Sequence, residues 1–547
     1  MKHGPFPLAA LALLACRTAL AQTVPPGADA AGACAPPAEL QAQGYTIRSI
    51  DIVHLPIFDD EPGLPAIYRW ADRLHIDTRD SAIQAHLLFR EGERVSQQLI
   101  DETLRNLRDL RFIREPSVRA LDCRDGRVTL EVAAREVWTT NPGLTFRRTG
   151  GENSSGAKIE ELNVLGFGKQ LIFEVTSDPD RKSSSLSWHD PAVLGSRWVN
   201  DIEYRDSDDG QGWSLLLERP FYSLDSRWGT GLDLLQDETV EPVYRLGERV
   251  AGFSRDAEYA DVWFGRSGGL RNGWTRRLIF GLRRDHTGFG LAPDEVPPDV
   301  LPQDRRLDYP YLRIEGVQDD FETTRNRDQI ARTEDQAFGI RYALELGWSA
   351  TALDADRNAA LLRAYLSRGW RLGRDDAMFA DAGLTTRIES GSATDALLSA
   401  GMRYYHPTGP HGVFYTGMWA TAGSQLDADH ELTIGGDTGL RGYPLRYQSG
   451  SGTALLTIEQ RFYTKYTLWM LLDVGAAVFF DMGRAFGKAP LGPADNLGIL
   501  KDVGFGLRLG SKRSALGNVL HVDVAFPLDG PASIDRVQFL VQTKRSF

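Results

Sequence analysis

Residues Gly435-Gly436-Asp437-Thr438-Gly439-Leu440-Arg441-Gly442-Tyr443-Pro444 are followed by four or five strands whose apolar and polar positions alternate almost without error. A Gly-rich loop carrying one Arg, set between long alternating strands, predicts a loop folded back into a barrel. Successive strand residues point to opposite faces, so a barrel in a membrane needs one apolar face and one lumenal face. From Leu472 to Gly483 one parity reads Val474, Ala476, Val478, Phe480, Met482, and the other Asp473, Gly475, Ala477, Phe479, Asp481, Gly483. The next strand sets Val503, Phe505, Leu507 and Leu509 against Gly504, Gly506, Arg508 and Gly510. Then Leu520, Val522, Val524 and Phe526 oppose Val519, His521, Asp523 and Ala525. Directly after the loop, Ala454, Leu456, Ile458 and Phe462 oppose Thr453, Thr457, Glu459 and Arg461, with Gln460 the one lapse.

A soluble antiparallel sandwich also alternates. Three details favour the membrane barrel. The polar parity is rich in Gly and in charges of both signs, as a lumen requires. The strands run about ten residues, the length a tilted strand needs to cross a bilayer. The sequence ends at Phe547, directly after a strand containing Val537, Phe539 and Val541.

No run after residue 20 is long enough for a transmembrane helix, which leaves a barrel open because its strands hide hydrophobicity in alternation. The N-terminus reads as a secretory signal over residues 1–21: Lys2, an apolar run from Leu8 to Ala15, then Ala19-Leu20-Ala21. Leu13-Leu14-Ala15-Cys16 is a competing lipoprotein-like cleavage site. Either route exports the protein, and a barrel then belongs in a Gram-negative outer membrane with its N-terminal part in the periplasm. Cleavage after Ala21 leaves Cys34 and Cys123, which an oxidising periplasm allows to pair or which stay as two thiols. The net charge of −12 argues against nucleic acid as a partner. There is no Gly-x-Ser-x-Gly elbow and the ten His residues show no metal-ligand spacing, so neither an enzyme nor a cofactor is expected.

Residues 22–44, with Pro25-Pro26 and Pro36-Pro37, read as a flexible tether. A different texture spans residues 45–138. A strand is predicted over Thr46 to His54, helices over 79–90 and 96–109, and strands over 112–121 and 127–137 joined by Asp125-Gly126. In the second helix Leu99, Ile100, Leu104 and Leu107 fall at helical spacing, with Ser96 as a cap. Residues 55–78 read as a loop insertion.

This β-α-α-β-β order resembles the POTRA domain, the periplasmic module of outer-membrane assembly and secretion barrels. Gly92-Glu93-Arg94-Val95 and Leu107-Arg108-Asp109-Leu110-Arg111-Phe112-Ile113 carry the likeness. With the barrel over 139–547 and the Leu440-Arg441-Gly442-Tyr443 loop, the chain resembles the BamA/TamA-like outer-membrane assembly superfamily. The resemblance implies sixteen strands, of which the five after the loop are the last. Residues 140–424 offer eleven to fifteen candidate segments, and 285–308 read as a long extracellular loop.

The resemblance also implies that Arg441 sits in the lumen and pairs with an Asp in a Phe-x-Asp-x-Gly setting. Phe479-Phe480-Asp481-Met482-Gly483 matches, and Asp481 lies on the lumenal parity. A guanidinium fork meets a carboxylate bidentately, which Lys cannot reproduce. Glu459 and Arg461 face the same lumen. The superfamily's C-terminal assembly signal ends in an aromatic, which Phe547 supplies after Phe539 and Val541, although Arg545 stands where a second aromatic is usual. The function implied is assembly or translocation of polypeptide by a monomeric barrel in outer-membrane lipid, the POTRA-like domain receiving the substrate by β-augmentation. The alternative is a passive pore or lipid-handling barrel.

Overall fold

A computed structural model describes residues 34–57, 76–469, 471–492, 497–511 and 519–544. The signal segment, most of the 55–78 insertion and Phe547 lie outside the described residues.

The N-terminal module is a three-stranded sheet on which helices pack. β1 (Thr46–Leu55) runs parallel to β3 (Arg127–Glu136), and β2 (Ile113–Arg124) pairs antiparallel with the other edge of β3. β3 reads Val128-Thr129-Leu130-Glu131-Val132 and is central, with its apolar residues buried on the helix side. Helix α1 spans Pro37–Ala42, α2 Asp80–Gln84 and α3 Gln97–Asp109. α3 begins where the Ser96 hydroxyl accepts the Leu99 N–H at 3.4 Å. It buries Ile100 and Leu107 against Ile47, Phe112, Leu130 and Val132.

Two sequence expectations are corrected here. Residues 37–42 are not tether but helix, begun by Pro37 in the first turn. Leu40 of that helix is 1% exposed within the module core, and a Cys34–Cys123 disulfide ties the same segment to β2. The helix expected over 79–90 stops at Gln84, and Leu87 and Phe89 enter the core from a turn instead.

The remainder is a closed antiparallel barrel of twenty strands. Sixteen is therefore corrected. Five strands follow the Gly-rich loop, and fifteen precede it, the upper limit of the candidate segments. The extra strands come from the first part of the barrel, where tight turns divide the chain into strands of eight to ten residues, from Thr140–Thr149 to Gly210–Arg219. Gly150-Gly151 makes the first turn, and Val164–Gly166 and Val193–Gly195 make two periplasmic ones, each with left-handed backbone at its glycines. The loop expected over 285–308 is shorter, because strand Trp274–Leu291 continues past its start and Arg305–Gln318 begins before its end.

Outward positions carry the apolar parity: Val478, Phe505, Leu507, Val522 and Phe539 are exposed, while Asp481, Arg508, His521 and Asp523 of the opposite parity are buried in the lumen. An outward apolar band on a closed sheet needs lipid around it, and pairing along the wall satisfies the backbone groups away from the closure. Among the described residues no helix is long and apolar enough to cross a membrane.

The wall is uneven at its closure. Strand Thr140–Thr149 pairs with Glu152–Glu161 along its whole length, from Thr140↔Glu161 to Thr149↔Glu152. The last strand, Gln538–Lys544, pairs with Val519–Pro527 from Ala525↔Gln538 to Val519↔Lys544. Between first and last strands, among the described residues, the register has one pair, Val541↔Arg148. A Gln542 Nε2 to Thr149 Oγ1 hydrogen bond of 2.7 Å supports it from the lumenal side.

Candidate functional site: the lumenal loop and its charge ladder

Short strands Leu432–Ile434 and Gln448–Gly450 pair as a neck, and the chain between them folds into the barrel from the extracellular side. The loop is braced internally: Leu440 N–H donates to Gly435 O at 3.0 Å, and Gly436 N–H to Pro444 O at 2.9 Å. Gly442 allows the loop to touch the wall. A Cβ there would lie 2.6 Å from Asp502 Cβ, while the Gly442 N–H donates to Asp502 Oδ2 at 3.0 Å. Leu440 and Tyr443 are fully buried, and the Tyr443 hydroxyl donates to Lys501 O at 2.8 Å.

These supports aim Arg441 across the lumen. Its Nε and Nη2 donate to the two oxygens of Asp481 at 2.6 and 2.8 Å, and its Nη1 to Glu459 Oε1 at 2.8 Å. The guanidinium carbon stands 3.4 Å over the Phe479 ring. Thr457 Oγ1 donates to Asp481 at 2.8 Å, completing that carboxylate. Glu459 carries the ladder on, accepting from Arg461 Nε at 2.9 Å. Gly483 leaves room for the neck, since a Cβ there would lie 2.8 Å from Ile434 Cδ1.

The structure thus brings together Leu440, Arg441, Gly442, Tyr443, Phe479, Asp481, Gly483, Glu459 and Arg461. Phe539 and Val541 lie apart from them on the outward face of the last strand. Reading by motif passed over Asp502, which caps the loop, and the Arg508–Asp523 ion pair, which lies beside Glu459 and Arg441. Parity alone could have found Arg508 and Asp523, because both occupy lumenal positions of their strands.

Arg441, Arg461 and Arg508 face Asp481, Glu459 and Asp523, all buried. So many charges are tolerable in a narrow lumen only because each sign is close to the other, and deleting one partner strands the rest. Further out, Asp395, Asp427 and His430 converge closely enough to suggest a metal. Arg387 and Arg305 already neutralise these carboxylates, Arg387 Nη1 meeting Asp427 at 2.8 Å and Arg305 Nη1 at 3.0 Å.

The module meets the barrel's periplasmic mouth. Glu102 of α3 accepts the Leu224 N–H at 2.6 Å, and burial raises its carboxyl's pKa. Arg197 of a periplasmic turn donates to the carbonyl of Leu87 at 2.5 Å. Burial, followed by the nearby Arg197, lowers His86 to about 4.

The geometry defines a class: a closed outer-membrane β-barrel, its lumen entered by an extracellular loop and its mouth joined to a small α/β module. No protein-family profile matches the chain, and no curated protein sequence matches it. Among solved structures the chain is similar to BamA from Haemophilus ducreyi lacking POTRA domains 1–3, at 12% identity and TM-score 0.40 over 91% of this chain and 84% of that one. It is similar also to CdiB from Acinetobacter baumannii, at 12% identity and TM-score 0.46 over 92% and 73%. CdiB from Escherichia coli gives 13% identity and TM-score 0.44 over 92% and 77%. Likeness at this level carries no argument about activity.

Proposed function

We propose that this protein is an outer-membrane barrel of the BamA/TamA-like kind that assembles or translocates polypeptide. The observation that carries the reading is the closure of the barrel. Every other neighbouring pair of wall strands shares a run of registered residues, whereas the first and last strands share Val541↔Arg148 among those described. A wall held there by little backbone pairing offers N–H and C=O groups to an incoming strand. The N-terminal module, read as POTRA-like, has β2 as an open sheet edge on the periplasmic side. It would receive an extended substrate by strand addition and pass it to the seam. No step of this mechanism is a chemical reaction. Templating by main-chain hydrogen bonds does the work, and the Arg441–Asp481 pair keeps the loop fixed to the wall three strands from the seam.

Photoreactive residues scanned across Ile113–Arg124 in living cells test the reading. Crosslinks to nascent outer-membrane or secreted polypeptides are expected. Crosslinks to lipid alone, or none, would turn the assignment toward a lipid-handling or passive barrel.

A further inference from the structure

Periplasmic connections in outer-membrane barrels are ordinarily short turns. The connection between strands Arg305–Gln318 and Arg341–Ser349 is not. It lies on the same side as the N-terminal module, because Arg105 meets Asp319 at 3.8 Å and Arg108 meets Asp335. It forms a separate hairpin, Phe321–Arg325 against Thr333–Ala337, outside the barrel wall.

The tip of this hairpin is inside the lumen. Glu334 accepts the backbone N–H groups of Arg327, Asp328 and Gln329 at 2.9 to 3.1 Å, which holds the tip in one shape. Ile330 is 4% exposed and packs with Tyr405, Tyr415, Tyr463 and Ala477 of the inner wall. Asp328 accepts the Tyr405 hydroxyl at 2.7 Å. Arg461, the end of the ladder that begins at Arg441, donates from Nη1 to the carbonyl of Arg327 at 2.8 Å. The extracellular loop and the periplasmic hairpin therefore meet, through Glu459 and Arg461, in the middle of the barrel. Cavities of about 680 and 600 Å³ remain in this filled lumen.

The base of the hairpin is held from two sides, by Arg371 of the wall, which meets Asp320 and Glu322 at 2.9 Å, and by the module. Arg108 of α3 grips Asp335 with Nε at 2.5 Å and Nη2 at 2.6 Å, a fork-to-carboxylate geometry with both side chains less than one-fifth exposed. One turn earlier, Arg105 lies 4.2 Å over the Phe321 ring.

We propose that the hairpin of residues 319–340 is a periplasmic plug and that α3 is its latch, so that docking of the module and closure of the lumen form one linked equilibrium. Two arrangements of the module must then differ in plug occupancy, and whatever draws α3 off the mouth favours an empty lumen. The inference is independent of what the module binds.

The test uses the full-length protein in detergent or vesicles, with Cys16→Ser and Ile330→Cys, so that a maleimide reports whether the tip is buried. The parent should label slowly. Asp335→Asn, which keeps the side chain's size but removes the ionic fork, should label about tenfold faster, the weight of one charge-assisted contact. The swap Arg108→Asp with Asp335→Arg should return labelling toward the parent rate. Equal rates in the parent and in Asp335→Asn would overturn the latch. Ion conductance in planar bilayers tests the plug itself: replacing residues 326–332 by a short Gly-Ser turn should raise the open probability, and unchanged conductance would overturn that part.

Discussion

The loop that enters the barrel from outside ends on Glu459 and the hairpin that enters from the periplasm on Arg461, its ion-pair neighbour, yet they are held by different physics. The loop's Arg441 is locked to Asp481 and Glu459 by charge-assisted bonds between fully buried groups. The hairpin's tip relies on one apolar anchor, one tyrosine hydroxyl and one backbone carbonyl. Its ionic contacts are divided between the wall, where Arg403 stands 3.7 Å from Asp328 and Arg371 meets Asp320 and Glu322 at 2.9 Å, and the module, where Arg108 grips Asp335. A buried network of ion pairs closed off from water is a fixture. The tip's charged pair, Asp328 and Arg403, is partly exposed, so the tip can leave with both charges reaching water. One barrel thus carries a permanent brace and a releasable stopper.

The sharpest way to break this contrast is Arg441→Ala. It leaves Asp481, Glu459 and Asp523 crowded with one cation fewer, at a cost of about 3–5 kcal/mol. Heat-modifiable migration should be lost or protease sensitivity should rise at normal expression, and unchanged behaviour in both assays would count against the brace. Next comes the stiffness of the latch's own module. Replacing Cys34 and Cys123 by Ser (Cys34→Ser with Cys123→Ser) removes a bridge between cysteines 89 residues apart without freeing a thiol, and should lower the module's stability by about 2–4 kcal/mol. If the module acts as a rigid lever, maleimide labelling of Ile330→Cys should quicken with that change. A melting shift without any change in labelling would confine the disulfide to the module. Smaller again is Ile330→Val, which trims one methylene from the plug's anchor at about 0.5–1.5 kcal/mol. It should raise tip exposure to hydrogen exchange and leave the barrel's heat-modifiability untouched; a change in the latter would make the hairpin part of the wall's stability.

The two regions also differ in how far the sequence discloses them. The strands after Gly435 are legible because lipid and lumen impose opposite demands on neighbouring residues, so Asp473, Phe479, Asp481, Arg508 and Asp523 declare their side by parity. The Arg441–Asp481 pairing came from resemblance and parity together, and the structure adds Asp502 because its role depends on a backbone N–H at Gly442 that no side-chain pattern reveals. The hairpin was invisible for a related reason. Thr333–Ala337 has the polar composition of a solvated turn, and its apolar anchor is a lone Ile330 between Gln329 and Ala331. Nothing local distinguishes a tip that fills a lumen from one in water. The count of sixteen came from the resemblance, whereas the residues left eleven to fifteen segments open before the loop, because first strands such as Lys182–Asp190 are short and polar and their serines give parity little to separate.

The smallest effect expected concerns how the latch's module responds to pH. His54 on β1 places Nδ1 2.9 Å from Glu136 Oε1 on β3 and Nε2 2.7 Å from Asp80 Oδ1 on α2. Burial works against the charged ring, but the hydrogen bonds it donates to Asp80 and Glu136 outweigh it and raise the pKa of His54. A raised value means the folded module holds this proton more tightly than the unfolded chain does. The stabilisation is complete below an unfolded pKa of about 6.5 and fades as pH rises through the folded value. His86 has the opposite slope: lowered to about 4, it is buried neutral and costs stability as pH falls from about 6.5 toward 4. Comparing the parent with His54→Gln cancels the His86 contribution and isolates that of His54. The difference should be about half a kcal/mol, because solvent screens the partly exposed ring. It should be largest near pH 6 and vanish toward pH 9 in denaturant melts of the full-length protein. A difference that grew with pH would place the proton on the wrong side of the equilibrium and remove His54 from the account of how the module is held.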